Sequence, residues 1–257
     1  QQPFFKTIPY RHLTLDVIRT PYPQENGDDW TIEDQTMNDY DLFICESGSA
    51  TYRIGSDSYH LQPDMMLLVP PGKLVSAEKS SREPLRMIAQ HFMLYVFNRT
   101  DVFTLFSYTP LVRLVNGELC RRICHEIRRL FAESGGKYLP FETTPLFMVL
   151  LKEFLQEAFI AEEFIEERKS TLILRILQLI DLEYRSPQLL ETIMNTSPYG
   201  YSHTANLFRQ YTGQSIKTYI IERRLEASKE VIMRGGSVAE GAAAAGYEDA
   251  YYFSRIF

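Results

Sequence analysis

The sequence predicts an α+β protein, with a β-rich N-terminal domain and helices from there to the end. Three observations carry this reading. Short β-rich runs between turn residues fill the first hundred positions. After Asn116 the apolar residues recur at helical spacing. A charged stretch, Glu162–Lys169, then reads as a linker or an exposed helix. A chain of 257 residues holds one or two domains at ~150 residues each. We place a β domain at 1–110, a helical connector at 111–168 and an all-α domain at 169–257.

The β runs are Arg11–Arg19, Leu42–Glu46, Ala50–Ile54, Met65–Val69 and Leu85–Phe97. Turn chemistry separates them at Glu25-Asn26-Gly27, Ser47-Gly48, Gly55-Ser56-Asp57, Pro70-Pro71-Gly72 and Ser80 to Pro84. Short strands at near-regular spacing predict a sandwich or a small barrel. In the connector, Leu119, Ile123, Ile127, Leu130 and Phe131 mark one helix, and Pro140 interrupts. Phe147, Leu150, Leu151, Phe154 and Phe159 mark a second helix. The stripe from Phe147 to Phe154 fits an intradomain core and a dimer helix equally well.

The composition, 45% hydrophobic and 23% charged, is that of a globular chain and excludes a collagen, a disulfide miniprotein or a disordered polymer. A net charge of −6 excludes a generic polyanion binder. Three cysteines give no disulfide framework and fit a reducing cytosol. No window approaches the ~18 unbroken apolar residues of a membrane span, and no signal-peptide pattern opens the chain. A cytoplasmic protein without a membrane partner is expected. The missing initial Met and the unfinished helical pattern at Phe257 predict a fragment of a longer chain, with the all-α domain C-terminally incomplete.

The informative region is 187–257, which holds two similar helix-turn-helix units. The first has the turn Ser197-Pro198-Tyr199-Gly200 and a second helix from Tyr201 to Tyr211. In the other, Ser237-Val238-Ala239-Glu240 is a capping box. Gly246 suits a turn with positive φ, and Asp249 suits the cap of a last helix. Between them Ser215 to Arg234 reads as one helix of ~20 residues, about 30 Å long. Successive major grooves on one face of B-DNA lie ~34 Å apart, so this helix can space two readers.

The second helix of the first unit exposes Ser202, His203, Asn206, Arg209 and Gln210 and carries no acid. Asn, Gln and Arg have forked groups that suit adenine and guanine edges. From Ser197 to Gly236 there are six Lys/Arg and three Asp/Glu, but 181–257 has eight basic and nine acidic residues. A phosphate-binding surface must therefore be patterned rather than uniformly basic.

These residues resemble the AraC/XylS family of bacterial transcription regulators. The resemblance is carried by Leu207-Phe208-Arg209, Thr212-Gly213-Gln214-Ser215, Arg224-Leu225, Val231-Ile232, Ser237-Val238-Ala239-Glu240 and the run Gly246 to Phe257. It implies a double helix-turn-helix domain whose base-facing residues are Ser202, His203, Asn206 and Arg209, then Tyr251, Ser254 and Arg255. Pro198, Gly200, Met194, Thr204 and Gly241 depart from the family pattern, Thr204 by standing in place of a core leucine. Gly241 should cost ~1 kcal/mol against alanine inside a helix. The N-terminal half resembles the family's cupin-like sensor domain, a β-barrel or jelly roll, through Tyr40, Phe43 to Ala50, Leu61 to Met65, Val69 to Gly72 and His91-Phe92.

Within such a barrel, Trp30, Tyr40, Tyr52, Tyr59 and Arg53 suit a sugar-like effector. The simpler reading is that these aromatics pack the strands. His12, His60 and His91 are isolated, and Leu74 and Val75 follow Pro71-Gly72, so no metal site or cofactor is expected. Cys120 and Cys124 are expected to be buried free thiols rather than a metal or redox site.

The expectation is therefore a ligand-responsive, sequence-specific transcription regulator, an activator of carbohydrate genes, and no enzyme. Its expected partners are double-stranded DNA, a small-molecule effector such as a sugar, a second copy of itself and, by the resemblance, RNA polymerase. The alternatives are a metal-dependent cupin-type enzyme and a ligand sensor whose DNA domain no longer reads bases.

Overall fold

The computed structural model describes residues 12–19, 21–27, 29–97, 100–105, 107–137, 140–159, 164–247 and 253. In chain order the elements are β1 (Leu13–Val17), β2 (Tyr22–Asn26), β3 (Thr31–Thr36), β4 (Tyr40–Ser47), β5 (Ala50–Ile54), β6 (Asp57–Leu61), β7 (Met65–Val69), β8 (Leu74–Lys79), β9 (Leu85–Val96), β10 (Thr100–Asp101), α1 (Val102–Leu105), β11 (Leu111–Arg113), α2 (Gly117–Glu133) and α3 (Pro140–Ala158). Then come α4 (Phe164–Glu183), α5 (Leu189–Thr196), α6 (Tyr201–Thr212), α7 (Ile216–Met233) and α8 (Val238–Ala244). The chain divides into two units. One takes the described residues of Gln1–Tyr95 and Ser107–Ala161, the other those of Val96–Phe106 and Glu162–Phe257.

In the first unit the larger sheet runs β1-β9-β4-β7-β11, with β2 also on β9. The smaller sheet runs β3-β8-β5-β6. A strand covered on both faces reads as a continuous apolar run instead of an alternation. Accordingly Tyr40 to Cys45 of β4, apolar apart from Asp41, and Met66 to Val69 of β7 are all buried. The smaller sheet alternates, with Tyr52 and Ile54 of β5 buried on either side of exposed Arg53. The core formed by Phe43, Tyr52, Leu61, Leu67, Val75 and Met87 draws on both sheets.

The α+β class holds, but the β part is a pair of sheets rather than a closed barrel among the described residues. The edge strands β3 and β6 explain this. Most of their side chains are polar and exposed, so they have little apolar surface to gain by closing the sheet. The expected turn at Glu25-Asn26 is instead the end of β2, where these residues pair with Arg86 and Leu85. Cross-strand pairing overrides local turn preference there. At Gly48 the expected turn forms with φ +71, and a Cβ would lie 2.8 Å from the Pro84 carbonyl oxygen.

Helix α2 packs through Cys120, Ile123, Cys124 and Ile127. Its Arg128 donates from Nε to Glu46 Oε2 at 2.6 Å and from a terminal nitrogen to the carbonyl oxygens of Gln24 and Met87 at 3.1 Å each. One guanidinium thus ties the helix to β2, β4 and β9. In α3 the stripe Phe147, Leu150, Leu151 and Phe154 is buried, with the Phe147 ring 5.3 Å from that of Phe92. The stripe is therefore intradomain core, which removes it from the dimer reading.

In the second unit α4 buries Leu172, Ile173, Leu174, Ile176, Leu177 and Ile180. The segment Val102–Leu105, far upstream in sequence, belongs here. Thr104 Oγ1 donates to the Tyr211 carbonyl oxygen at 3.2 Å, and α1 packs on α6.

Arg128→Ala should lower stability by about 3 kcal/mol, because it strands the partly buried Glu46 carboxylate and two carbonyls. Urea unfolding checks this, and a change under ~1 kcal/mol would show the guanidinium to be dispensable.

Candidate nucleic-acid interface and ligand cavity

Helix α6 has two unlike faces. Thr204, Leu207 and Phe208 are buried, and Phe208 meets Tyr219 of α7 edge-on at 5.5 Å. Ser202, His203, Asn206, Arg209 and Gln210 are exposed. Their helical spacing makes a single stripe along the helix. Gly213, at φ +77, ends the helix by donating its N–H to the Arg209 carbonyl. The atypical turn is held by hydroxyls. Thr204 Oγ1 lies 2.7 Å from Ser197 Oγ and 3.1 Å from the Gly200 carbonyl oxygen. Ser197 Oγ also accepts from the Tyr199 N–H at 3.1 Å. The buried Thr204 thus has hydrogen-bond partners at a position that the family resemblance assigns to leucine.

Helix α7 is capped by Ser215, whose side chain accepts from the Thr218 N–H at 3.1 Å. Its 18 residues span about 27 Å at ~1.5 Å each. Two of the six cations between Ser197 and Gly236 are structural. Arg223 Nε donates to Asp181 at 3.0 Å, and its guanidinium lies 4.6 Å over the Tyr184 ring. Arg224 Nε donates to the Tyr184 carbonyl oxygen at 2.5 Å. Arg209, Lys217, Lys229 and Arg234 are exposed and available to phosphates.

The capping box forms as expected. Glu240 donates its N–H to Ser237 Oγ at 3.2 Å, and the Ser237 N–H donates to Glu240 Oε2 at 2.7 Å. Gly246 has φ +80, and a Cβ there would lie 2.9 Å from Arg185 Cα. Gly241 corrects an expectation. A Cβ on it would lie 2.7 Å from Ser228 Oγ and 3.0 Å from Ile232. Glycine is what lets α8 approach α7, so alanine there is a clash rather than a gain. Phe253 is buried against Ala242 and Ala245. Asp249, Tyr251, Ser254 and Arg255 lie outside the described residues.

The first unit holds a cavity of about 770 Å³. Trp30, Phe43 and Phe131 give it apolar wall, and Arg19, Asp39, Asp41 and His91 give it ionisable groups. The β4–β9 register sets Asp41 opposite His91. His91 Nδ1 lies 2.7 Å from Asp39 Oδ1, and Nε2 lies 3.4 Å from Asp41 Oδ2. Asp41 is 2% exposed. Burial pushes its carboxyl up from 3.8 to about 6, with His91 pulling back, Asp39 pushing further, and the Gln90 N–H and Arg19 pulling back again.

Of the five residues expected to hold an effector, Trp30 lines this cavity. Tyr52 is fully buried, 5.0 Å from the Phe43 ring, and its hydroxyl donates to Met87 Sδ at 3.6 Å. Tyr40 is buried 5.8 Å from the Phe92 ring. Tyr59 is half-buried against the core. Arg53 is exposed and paired with Glu78 at 2.8 Å. Sequence reasoning misses Asp39, Asp41 and His91 as cavity residues. For two of them the signal is a charged or polar residue inside an otherwise apolar run, at Tyr40-Asp41-Leu42 and at His91-Phe92. Cys120 and Cys124 are buried free thiols. Burial pushes Cys120 up to about 11 and Cys124 higher still, which keeps both protonated.

A family profile described as a helix-turn-helix domain matches residues 194–257. Another, described as an AraC-like ligand binding domain, matches residues 21–151, just over half of the chain. The chain belongs to the AraC family. This AraC-family chain is a ligand-responsive, DNA-binding transcriptional regulator. Among solved structures it is similar to ToxT from Vibrio cholerae O395 bound to (E)-4-(8-methylnaphthalen-1-yl)but-3-enoic acid, with 15% identity, 96% of this chain and 94% of that chain covered, and a TM-score of 0.33. It is also similar to unsaturated fatty acid bound wild-type ToxT from Vibrio cholerae strain SCE256, at 16% identity, 95% and 90% coverage and a TM-score of 0.30. The cupin domain of Schizosaccharomyces pombe Cnp3 matches 34% of this chain and 64% of its own at 13% identity and a TM-score of 0.26. No curated protein matches the sequence. Among the described residues of this AraC-family chain, no helix is long and apolar enough to cross a membrane.

Two outcomes are expected of the regulator's stability. Gly241→Ala should destabilise it by about 1–3 kcal/mol through overpacking, and a raised melting temperature would contradict the close α7–α8 approach. Asp41 should impose a pH dependence. The folded protein holds its proton more tightly than the unfolded chain, so this stabilisation is full below about pH 4 and is lost as pH rises through about 6. The span corresponds to about 3 kcal/mol. Asp41→Asn should flatten that slope and leave the variant about 1–3 kcal/mol more stable at neutral pH. Urea midpoints in acid and at neutrality test it, and a variant less stable than its parent at neutrality would refute the account.

Proposed function

We propose that the regulator reads DNA with the exposed stripe of α6 and with the segment after Gly246, and that the cavity between Trp30 and His91 takes the effector. The observation that carries the reading is the α6 stripe. It offers a cation, amides and further hydrogen-bonding groups at one face, with no acid to repel phosphate, while the opposite face is fixed in the core. Ser202, His203, Asn206 and Arg209 are the proposed contacts on α6, and Tyr251, Ser254 and Arg255 those of the segment after Gly246. Helix α7 supports the spacing of two readers, at about 27 Å against the ~34 Å between grooves.

In this reading the protein acts in the cytoplasm as a homodimer and an activator that works through RNA polymerase. Effector binding shifts the population of forms that span two half-sites. The protein is a binding module and not an enzyme. The helix-turn-helix and ligand-binding profiles support this reading, because both describe binding domains. Of the residues expected to hold a sugar, Trp30 lies on the cavity wall, which supports an effector with an apolar face there.

Arg209→Ala should weaken specific DNA binding by about 1–3 kcal/mol and relax preference at one base pair. Gel shifts with the regulator's own promoter region measure this, and equal affinity for cognate and scrambled sites in the unaltered protein would favour a sensor that no longer reads bases. Ala227→Pro, in the middle of α7, should abolish two-groove binding at a cost of ~3 kcal/mol or more. Full affinity for the two-groove site in that variant would sink the spacing argument.

A further inference from the structure

The polar groups on the cavity wall are not all provided with partners. Among the described residues that line it, the ionisable side chains are Arg19, Asp39, Asp41 and His91. Both imidazole nitrogens of His91 face carboxylates, Nδ1 on Asp39 and Nε2 on Asp41. The ring therefore has no free side to offer a ligand. Asp39 and Asp41 thus share one imidazole, and the guanidinium of Arg19 is exposed.

Asp41 is the sharper feature. It is almost wholly buried, and its Oδ1 has no hydrogen-bond partner. A buried carboxyl oxygen without a donor is destabilising, and such a liability marks a group suited to a ligand's donor. The nearby wall is aromatic and apolar, with Trp30, Phe43, Phe131 and Ala89. The cavity, at about 770 Å³, falls within the ~300–1,000 Å³ usual for small-molecule sites.

We propose that the effector is an organic ammonium compound, whose N–H groups donate to Asp41 and Asp39 and whose apolar body lies against Trp30 and Phe43. The proposal rests on the reading of the cavity as the effector site. An ammonium supplies the donor that Asp41 Oδ1 lacks as a charge-assisted hydrogen bond, and the Trp30 face attracts a cation. A carboxylate ligand would meet Asp39 and Asp41 as like charges. A sugar hydroxyl can donate to Asp41 but makes the weaker bond of a neutral donor.

Trp30 is the single tryptophan of the chain and lines the cavity, so its emission reports on this site alone. The full chain is titrated with three probes of one shape and different charge: cyclohexylmethylammonium, cyclohexylmethanol and cyclohexanecarboxylate. Glucose is the fourth. The ammonium should change Trp30 emission saturably and bind at least about tenfold tighter than the alcohol, since a hydrogen bond to a charged group is worth that much. Asp41→Asn should erase this preference and leave the alcohol's affinity unchanged. Asp39→Asn, at a less buried position, should weaken the ammonium in the same direction, and circular dichroism confirms that each variant is folded.

Tighter binding of the carboxylate or of glucose at Trp30, or an ammonium preference that survives both substitutions, overturns the ammonium class and leaves the cavity as the effector site. No response to the ammonium overturns the class as well. A probe that raises the melting temperature without touching Trp30 emission overturns the cavity reading itself.

Discussion

A strand buried on both faces must bury whatever its sequence carries. In this protein β4 and β9 lie side by side inside the larger sheet, and their register sets Asp41 against His91. Hydrophobic neighbours fix that register, because a slip of one residue would turn every side chain to the opposite face. The acidic cluster is thus held by the buried centre of the sheet. Its cost appears in the Asp41 carboxyl, which burial drives up to about 6. The same burial keeps competing water away from a group that can recognise a ligand.

Much of the architecture is legible in the sequence, and the exceptions have one physical cause. Local pattern and tertiary demand agree in several places. Ala50–Ile54 and Met65–Val69 are strands with the expected limits, Gly48 and Gly246 turn with positive φ, and Ser237 and Glu240 cap each other. Where long-range pairing decides, the local pattern misleads. The polar strands β3 and β6 carry little apolar signal, and β2 forms by pairing with the distant β9, in a stretch that reads as a turn. Trp30 is readable as a cavity residue because an aromatic suits a ligand wall. Asp41 and His91 show in the sequence only as polar breaks in apolar runs, and it is strand register that brings them together, while Asp39 gives no signal of its own.

The helical unit shows how departures from a family pattern can be absorbed. Thr204 in place of an apolar residue is matched by Ser197, whose hydroxyl lies 2.7 Å away. Gly241, which looks like a weak helix residue, is fitted to the approach of Ser228 and Ile232. In each case the residue is explained by its partner and not by its own propensity. The exposed stripe of α6 is therefore carried on an intact frame, with Phe208 against Tyr219 and Gly213 closing the helix.

The order in which the chain builds its two units bears on how such a protein can be cut or recombined. The sequence leaves the first unit at Val96, returns at Ser107 and leaves again at Glu162. The detour supplies Val102, Phe103 and Leu105 to the core of the helical unit, and Thr104 reaches the end of α6. A fragment ending near the start of α4 would carry that detour without its partners and expose those apolar side chains to water. The helical part made alone would lack them. Gene fusions that exchange the two halves at a single junction would therefore inherit a mismatched plug, and a working chimera needs the detour to travel with α6.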